Sequence, residues 1–379
     1  MKILHVVNIY FVIPYFLGNQ LKFFKDKGYE EHIICSPSDE MENYAKKMGY
    51  KYEMFPIERK ISPISDLKAV WKTLRYIHNN KINVVCGHTP KGGLIAMMAA
   101  WLARCKVRVY FRHGLVYETS KGIKRLLLIN IDRLASKFAT KVVCVSSSVL
   151  KKSIEDKLAP ASKQIILGPG TCNGINTQRF LPLSNEMRCR YVNLRQKYNI
   201  CENDFVIGFV GRMVKDKGII ELIEAFKSLY ANQSNIKLLL VGMLEKRDAL
   251  PTDVVDTIQH HSNIIHTGYV DYNSIEFYYD LMNVYVLPSY REGFPTSVLE
   301  ASAMQLPVIT THATGCVDAI VDGITGIAVN NDSRELQQAL IKLYSDANLC
   351  RRLGENGRKM VVENFDEKKI WQYIEKLYK

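Results

Sequence analysis

The chain has 379 residues, of which 47% are hydrophobic and 23% are charged. This composition excludes a disordered, collagenous or coiled-coil protein, and the length is typical of about two globular domains. The net charge of +13 is uneven, because residues 1–175 carry 28 Lys and Arg against 13 Asp and Glu, whereas residues 176–379 carry 23 against 25. A cationic half attracts polyanions, so nucleic acid, an anionic membrane, a phosphorylated substrate and plain surface charge all stay open.

Short apolar runs alternate with longer amphipathic stretches along the first half. Continuously apolar strands are buried on both faces of a sheet, so the alternation predicts parallel βαβ units. The predicted strands are Ile3–Val7, His32–Cys35, Val84–Gly87, Val107–Arg112, Val142–Ser146 and Gln164–Leu167. The predicted helices are Gly18–Lys27, Asp66–Asn79, Gly92–Arg104, Lys121–Phe138 and Ser148–Leu158.

The pattern breaks at 168–176, which is dense in turn residues, and a polar stretch follows to about residue 203. A second series of strands is predicted at Phe205–Val210, Lys237–Val241, Ile264–Gly268, Val284–Leu287, Pro307–Thr310 and Gly326–Val329. We therefore expect two α/β domains, 1–172 and 173–360, with the tail 361–379 returning to the first. Ligands of open parallel sheets bind beyond the carboxyl ends of the strands, so two facing sheets would form a cleft.

The cysteines and the apolar start of the chain bear on its compartment. Nine cysteines are scattered without a Cys-x-x-Cys pair, which argues against a disulfide framework or a zinc site and favours a reducing compartment. His5, Asn8 and Pro14 interrupt the first apolar run, so we interpret it as a buried strand rather than a secretion signal. No apolar run reaches the length of a membrane-spanning helix.

The segment 288–302 carries two candidate ligand-binding carboxylates. Glu292 lies in a loop after a strand, and Glu300 lies about two turns into the following helix. Thr296 and Ser297 stand near the helix start, where free N–H groups and the dipole favour an anion. A phosphate there would leave Glu300 to accept hydrogen bonds from a diol and Glu292 to hold the hydroxyls of a second ring. Two merely solvated carboxylates are the alternative.

A second candidate segment follows the first strand of the second half. There Gly211 is followed by Arg212 and Lys217 before a helix begins. Two cations at the carboxyl end of a strand suit a diphosphate, because Arg grips two oxygens with its planar fork and Lys acts as a point charge. Together with a helix start that favours anions in the same half, they predict a nucleotide-diphosphate site.

The order Arg212, Lys217, Glu292, Glu300 within one α/β half resembles retaining glycosyltransferases of family 4. That family has the GT-B fold, in which two Rossmann-like β/α/β domains face each other across a cleft. The resemblance extends to the runs 173–180, 268–270, 306–311 and 322–326. The runs 288–300 and 315–320 are similar to bacterial enzymes that build capsule, O-antigen and protein-linked glycans on polyprenyl-diphosphate carriers.

The resemblance implies a role for each matching residue. Arg212 and Lys217 would stabilise the departing diphosphate, Glu300 would hold the ribose, and Glu292 would hold the donor sugar. His113 would approach the reacting centre from the first domain, which makes it catalytic together with Glu292, Arg212 and Lys217; a merely structural His113 is the alternative. The remaining implied donor-binding residues are Gly18, Gly211, Tyr269, Val270, Gly293, Phe294, Ser297 and Val298. The family often has a glycine pair where this chain has Leu17 and Gly18.

The implied reaction moves a hexose or an N-acetylhexosamine from a UDP-sugar to a polyprenyl-diphosphate-linked acceptor, with retention of configuration. The chain has no Asp-x-Asp sequence, so we expect no metal and no other cofactor. The first domain would bind the acceptor, and its positive charge suits a cytoplasmic protein that lies peripherally on the inner face of the membrane. The segment Lys121–Phe138 would be an amphipathic surface helix or, alternatively, a core helix.

Other interpretations remain open from sequence alone. The acceptor could be soluble, or the same fold could serve a nucleotide-sugar epimerase or a phosphorylase. A nucleic-acid-binding protein would explain the charge but not the four matched residues, so we expect no nucleic acid partner. Trp71 and Trp101 are expected in the core, and His260, His261 and His266 on the surface.

Overall fold

The computed structural model describes residues 1–58, 62–184, 194–246 and 248–379. They form two compact units, Met1–Gly174 with Glu367–Lys379, and Ile175–Asp366. The expected C-terminal tail began at residue 361, whereas residues 361–366 group with the second unit. Two hydrogen bonds join the end of this stretch to the start of that unit. The Ile175 N–H donates to the carbonyl of Phe365 at 2.8 Å, and Thr177 Oγ1 donates to Asp366 Oδ2 at 2.7 Å.

The first unit is built on seven parallel strands. They are β1 Lys2–Val6, β2 Glu30–Cys35, β3 Lys51–Met54, β4 Val84–His88, β5 Val107–Arg112, β6 Lys141–Cys144 and β7 Gln164–Ile165, in the sheet order β3-β2-β1-β4-β5-β6-β7. The helices are α1 Gly18–Asp26, α2 Asp39–Met48, α3 Pro63–Asn80, α4 Pro90–Leu102, α5 Gly122–Phe138 and α6 Ser147–Glu155. Parallel strands need helical crossovers, and these helices supply them.

The second unit repeats the design with six parallel strands. They are β8 Phe205–Val210, β9 Ile236–Val241, β10 Ile264–His266, β11 Val284–Leu287, β12 Val308–Thr311 and β13 Ile327–Val329, in the order β10-β9-β8-β11-β12-β13. The helices are α7 Ile219–Tyr230, α8 Thr252–His260, α9 Ile275–Tyr279, α10 Thr296–Ala303, α11 Ser333–Ser345 and α12 Ala347–Asn364. The chain then enters α13, Glu367–Tyr378, which belongs to the first unit. Both units are Rossmann-like, as the GT-B expectation requires.

Some expectations fail in instructive ways. Helix α2 and strand β3 had no counterpart in the sequence reading, since β3 is a short edge strand with no fully buried residue. Trp71 and Trp101 are 58% and 50% exposed, so the expectation that they lie in the core is wrong. His260 is exposed, but His266 is only partly so, and its Nε2 lies 2.8 Å from the carbonyl oxygen of Gly242.

The described cysteines are all free thiols, and Cys189 lies outside the described residues. No helix in the described ranges has the length and apolar character needed to span a bilayer.

Candidate functional site

The carboxyl ends of β8 and β11 bring Lys217 and Glu292 together. Lys217 ends a short 3₁₀ helix after β8, and Glu292 lies in the loop between β11 and α10. The Lys217 ammonium pairs with Oε1 of Glu292, and Ser289 Oγ donates to the same oxygen at 2.7 Å. The two charged side chains are only 19% and 14% exposed. Because β8 and β11 are neighbours in the sheet, two residues 75 positions apart become an ion pair.

Two glycines fix the backbone around Glu292. Gly218 has a φ of +69°, and a Cβ there would lie 2.0 Å from the carbonyl oxygen of Pro288. Gly315 has a φ of +80°, and its Cβ would lie 2.5 Å from the carbonyl oxygens of both Glu292 and Gly293. Both positions therefore need the conformation and the small size of glycine. The loop that carries Glu292 is held by close backbone packing.

Helix α10 begins just after this loop. Its N-cap residue, Pro295, makes no side-chain capping hydrogen bond. Tyr285 Oη donates to Ser297 Oγ at 2.7 Å, and the N–H of the buried Val298 donates to the Pro295 carbonyl at 3.1 Å. The first turn of a helix offers N–H groups and the positive end of the dipole to an anion. Ser297 lies in this first turn, whereas the Val298 N–H has a partner within the protein, and the binding of a phosphate by either residue stays a prediction.

Glu300 lies in a closed polar cluster on α10. Its side chain is 5% exposed, and its two carboxylate oxygens accept hydrogen bonds from Tyr272 Oη and Tyr279 Oη, each at 2.8 Å. Burial raises the pKa of Glu300 to about 7, and the two phenol hydrogen bonds oppose that rise. The carboxyl group therefore changes its charge near neutral pH.

Arg179 supports this cluster from the segment that opens the second unit. Its guanidinium lies 4.6 Å from the ring centroid of Tyr272, and its Nη2 is 2.7 Å from Glu276 Oε2. The positive charge of Arg179 also lowers the pKa of Glu300. Sequence reasoning gave no site role to Arg179, Tyr272 or Tyr279. The available signals were that Arg179 lies in the run 173–180 and that Tyr272 closely follows the run 268–270.

Arg212 forms an ion pair with a different acidic residue. Its side chain is 56% exposed, and its Nη1 lies 3.1 Å from Oε2 of Glu245 in the loop after β9. Gly211, directly before it, has its carbonyl oxygen only 1.9 Å from where a Cβ of Gly242 would lie. The two loop backbones are thus in contact at the carboxyl ends of β8 and β9.

The predicted base-contacting residues Tyr269 and Val270 follow β10 at the same edge of the second sheet. The Gly242 N–H donates to the carbonyl of Gly268 at 3.1 Å, which ties the β9 and β10 loops together. Tyr269 follows with a side chain that is 64% exposed, and Val270 is partly exposed. Phe294 is buried, and its ring centroid lies 5.3 Å from that of Phe365.

His113 and Gly18 belong to the first unit. His113 directly follows β5; its Nε2 lies 3.0 Å from Nδ1 of His88, and its Nδ1 lies 3.3 Å from Sγ of Cys172. Burial lowers the pKa of His113 to about 4, so the ring is neutral at pH 7. Gly18 is the first residue of α1, and a Cβ there would lie 3.3 Å from Tyr44 Oη. The catalytic role of His113 and the donor-binding role of Gly18 stay predictions.

Across the ranges that the structure describes, no three or more His, Cys, Asp or Glu side chains are grouped so that they could hold a metal ion. The expectation of a metal-independent site rests on the sequence.

Comparison with known proteins identifies the class. Residues 192–360 match the family of glycosyl transferases group 1, and residues 2–146 match the glycosyl transferase 4-like family. Two parallel Rossmann-like sheets joined in one chain, with a return helix, are the GT-B architecture, so the chain belongs to the GT-B glycosyltransferases.

Its relatives include enzymes of surface-polysaccharide synthesis. The capsular polysaccharide biosynthesis glycosyltransferase CapM of Staphylococcus aureus is 35% identical over 378 residues, which cover 100% of this chain and 96% of that protein. The Escherichia coli UDP-Gal:α-D-GlcNAc-diphosphoundecaprenol α-1,3-galactosyltransferase is 23% identical and covers 95% and 91% of the two chains. HepE of Anabaena, solved with UDP-glucose, superposes with a TM-score of 0.81 at 20% identity, covering 99% and 98%, which supports the fold.

Proposed function

We propose that the second unit binds a nucleoside-diphosphate sugar at the carboxyl ends of β8 and β11. The observation that carries the proposal is the largely buried Lys217–Glu292 pair, in which Glu292 lies in the loop leading to the start of α10. The ammonium of Lys217 and the half-exposed guanidinium of Arg212 bind the diphosphate. Glu292 accepts hydrogen bonds from hydroxyls of the transferred sugar.

The rest of the donor lies along the same sheet edge. The first turn of α10 at Ser297 binds the distal phosphate, and Glu300 accepts the ribose hydroxyls. The exposed Tyr269 and the neighbouring Val270 contact the base. We take the nucleotide to be UDP, because the E. coli relative is named for a UDP-sugar donor. The sugar is a hexose or an N-acetylhexosamine.

The reaction retains the anomeric configuration and needs no metal ion. Glycosyl transfer passes through an oxocarbenium-like state while the nucleotide diphosphate gains negative charge. Two cations and a helix N-terminus stabilise that charge where they are already in position. With no Asp-x-Asp sequence in the chain, Arg212 and Lys217 take the part that a metal plays elsewhere.

The acceptor is a polyprenyl-diphosphate-linked saccharide bound by the first unit. The E. coli relative is named for such an acceptor. Helix α3 exposes Ile64, Leu67 and Trp71 along one stripe, and α5 exposes Ile123 and Leu126. Exposed apolar side chains on cationic helices suit the surface of an anionic membrane.

The acidic residues of α3 and α5 do not offset the positive charge on the exposed faces of these helices. Asp66 on α3 pairs with the buried Lys91, and Asp132 on α5 lies 2.5 Å from the buried Arg112. The lysines and arginines on the outer faces therefore set the sign of the surface. The protein lies peripherally on the inner face of the cytoplasmic membrane.

A thermal-shift screen with UDP and UDP-sugars in the presence of EDTA tests the donor proposal. Ligands that bind the folded state alone raise the melting temperature by mass action. We expect a shift with UDP and with one UDP-sugar, loss of that shift in Lys217→Ala, and its retention in Lys215→Ala, an exposed lysine of the same 3₁₀ helix. A shift that needs added metal would refute metal independence, and no shift with any nucleotide would refute the donor site.

A further inference from the structure

Two ion pairs of opposite polarity join the loops after β8 and β11. Lys217 on the first loop pairs with Glu292 on the second, and these two residues form the inner pair. The residue before each of them contributes to an outer pair, in which Nη2 of Arg291 lies 2.8 Å from Oδ2 of Asp216. The outer pair is the more exposed, at 29% for Asp216 and 26% for Arg291. Two successive residues of each loop are thus joined to two successive residues of the other.

The backbone brings the two residues of the outer pair together. The N–H of Tyr290 donates to the carbonyl oxygen of Asp216 at 3.0 Å, and the hydroxyl of Tyr290 donates to Oε1 of Glu221 on α7. The N–H of Asp216 donates to Oδ2 of Asp248, in the segment after β9, at 2.8 Å. Because the backbone on both sides is already held, the planar guanidinium of Arg291 loses little freedom in reaching Asp216.

The proposed function, on which this inference rests, needs a contact between the loops that does not involve the donor. In the bound state the ammonium of Lys217 faces phosphate oxygens and Glu292 accepts sugar hydroxyls, so the inner pair weakens. The outer pair has no assigned contact with the donor, and it lies one residue away on each loop. It can therefore stay formed while the inner pair exchanges its contacts for those of the donor.

We propose that Asp216 and Arg291 are positioning residues, which hold the loops after β8 and β11 together while the donor occupies Lys217 and Glu292. The outer pair fixes the distance between a group that binds the diphosphate and a group that binds the sugar. That distance determines how the bond to be broken lies in the site, and a misplacement of about 1 Å can lower the rate about 100-fold. Partly exposed ion pairs contribute little to the stability of the whole fold, so removing this one should leave a folded protein.

The alternative is that the outer pair acts only through its charges. Asp216 adjoins Lys217, so a carboxylate there that Arg291 did not neutralise would repel the diphosphate. In that case removal of Arg291 would weaken the binding of UDP, whereas removal of Asp216 would strengthen it. If the pair holds the loops, both removals act in the same direction.

Calorimetric titration of the full-length protein separates these two roles. The probes are UDP, UDP-glucose, UDP-galactose and the two corresponding UDP-N-acetylhexosamines. Arg291→Ala and Asp216→Ala should each raise about tenfold the Kd of the UDP-sugar that binds wild type most tightly, by comparison with lost supporting partners of other bound groups. The Kd of UDP should rise less, because UDP has no sugar for Glu292 to hold. Opposite effects of the two substitutions on UDP, or equal effects on UDP and the UDP-sugar, would overturn the positioning role.

Exchange of the two charges tests the contact itself. Asp216→Arg alone brings two guanidinium groups together, and Arg291→Asp alone brings two carboxylates together, so each should weaken binding of the UDP-sugar. The double variant Asp216→Arg/Arg291→Asp restores the attraction with reversed polarity and should bind the UDP-sugar more tightly than either single variant. A double variant that binds no better than the single ones would overturn the proposal. Arg291→Lys keeps the charge and should retain most of the affinity.

Hydrogen exchange of the backbone amides tests the contact without any ligand. The N–H groups of Tyr290 and Glu292, on either side of Arg291, donate to the carbonyl oxygens of Asp216 and Thr314. Both amides should exchange severalfold faster in Arg291→Ala than in wild type, because the loop opens more often. Unchanged exchange would overturn the proposal.

Lys237→Ala is the matched control for Arg291→Ala. Nζ of Lys237 lies 3.7 Å from Oδ2 of Asp204, at the amino ends of β9 and β8, and the two side chains are 13% and 11% exposed. This variant also removes a cation from an ion pair of the second unit, but at the opposite edge of the sheet. It should leave UDP-sugar binding and the exchange of the two loop amides unchanged, and loss of either in the control would assign the effect to general destabilisation.

The two measurements distinguish this inference from the proposed function. If wild type bound neither UDP nor any UDP-sugar, the proposed function would be refuted, and the exchange rates would still decide whether the outer pair holds the loops. Faster exchange in Arg291→Ala with unchanged UDP-sugar binding would refute the use of the pair in positioning the donor.

Discussion

Replacing Glu300 with Gln should make the stability of the second unit less dependent on pH. Burial raises the pKa of Glu300 to about 7 from an ordinary value of 4.5. Between these values the folded protein keeps a proton that the unfolded chain releases, so this group stabilises the fold below pH 4.5 and loses that contribution as the pH rises through 7. From pH 5 to pH 8, wild type should lose about 2 to 3 kcal/mol of unfolding free energy relative to Glu300→Gln.

Urea unfolding at pH 5, 6, 7 and 8 measures this difference. Circular dichroism reports both units, whereas the three tryptophans, Trp71, Trp101 and Trp371, all lie in the first unit and provide an internal reference. Glu202→Gln, at an exposed position of the second unit, is the control for the loss of one acidic group. If the difference in unfolding free energy between wild type and Glu300→Gln stayed constant over this pH range, the assigned ionisation of Glu300 would be refuted.

Three further predictions test other parts of the molecule. Lys217→Ala and Glu292→Gln should each lower kcat, measured as the rate of UDP release, about 100-fold or more. Each variant should still unfold in a cooperative transition, and near-normal turnover of either one would contradict the assigned site. Gly315→Ala should lower the free energy of unfolding, measured in urea, by about 1 to 3 kcal/mol and should weaken UDP binding. Gly323→Ala is the control, because Gly323 also has a positive φ but no atom lies within 4 Å of the added Cβ. This control should leave UDP binding unchanged. Trp71→Ser should reduce sedimentation with anionic vesicles severalfold, with neutral vesicles as the control, and equal binding of wild type and variant would exclude α3 from the membrane surface.

The fold was largely predictable because both sheets use strands that are buried on both faces. Such strands read as continuous apolar runs, as β4 and β11 do, and every residue of both is buried. Strand β3 was not predicted, because this edge strand is charged and partly exposed and so has no continuous apolar run. Trp71 and Trp101 were misjudged because helical spacing shows that residues share a face without showing which face is covered.

Site residues could be predicted where the residue type and its position at the end of a strand were enough to indicate a role. They could not be predicted where side-chain packing determines which residues come into contact. Lys217 and Glu292 could be named because parallel strands gather their carboxyl ends at one edge. The partners of Glu300 could not, because Tyr272 and Tyr279 reach it through the packing of α9 and the preceding turn against α10. The sequence analysis likewise treated His5 only as an interruption of an apolar run, because only the structure shows that its Nδ1 lies 3.1 Å from Nε2 of His88.

Glu300 is a buried carboxyl group of the second unit, so its ionisation should affect the pH dependence of donor binding. Ionisation of Glu300 through pH 7 should strengthen its hydrogen bonds to ribose hydroxyls, and its charged fraction rises about tenfold from pH 6 to pH 8 at a pKa of about 7. UDP affinity should therefore increase over that range in wild type and stay level in Glu300→Gln. An increase of the same size in Glu300→Gln would show that another group sets the pH dependence of UDP binding, and the assignment of Glu300 to the ribose would be wrong.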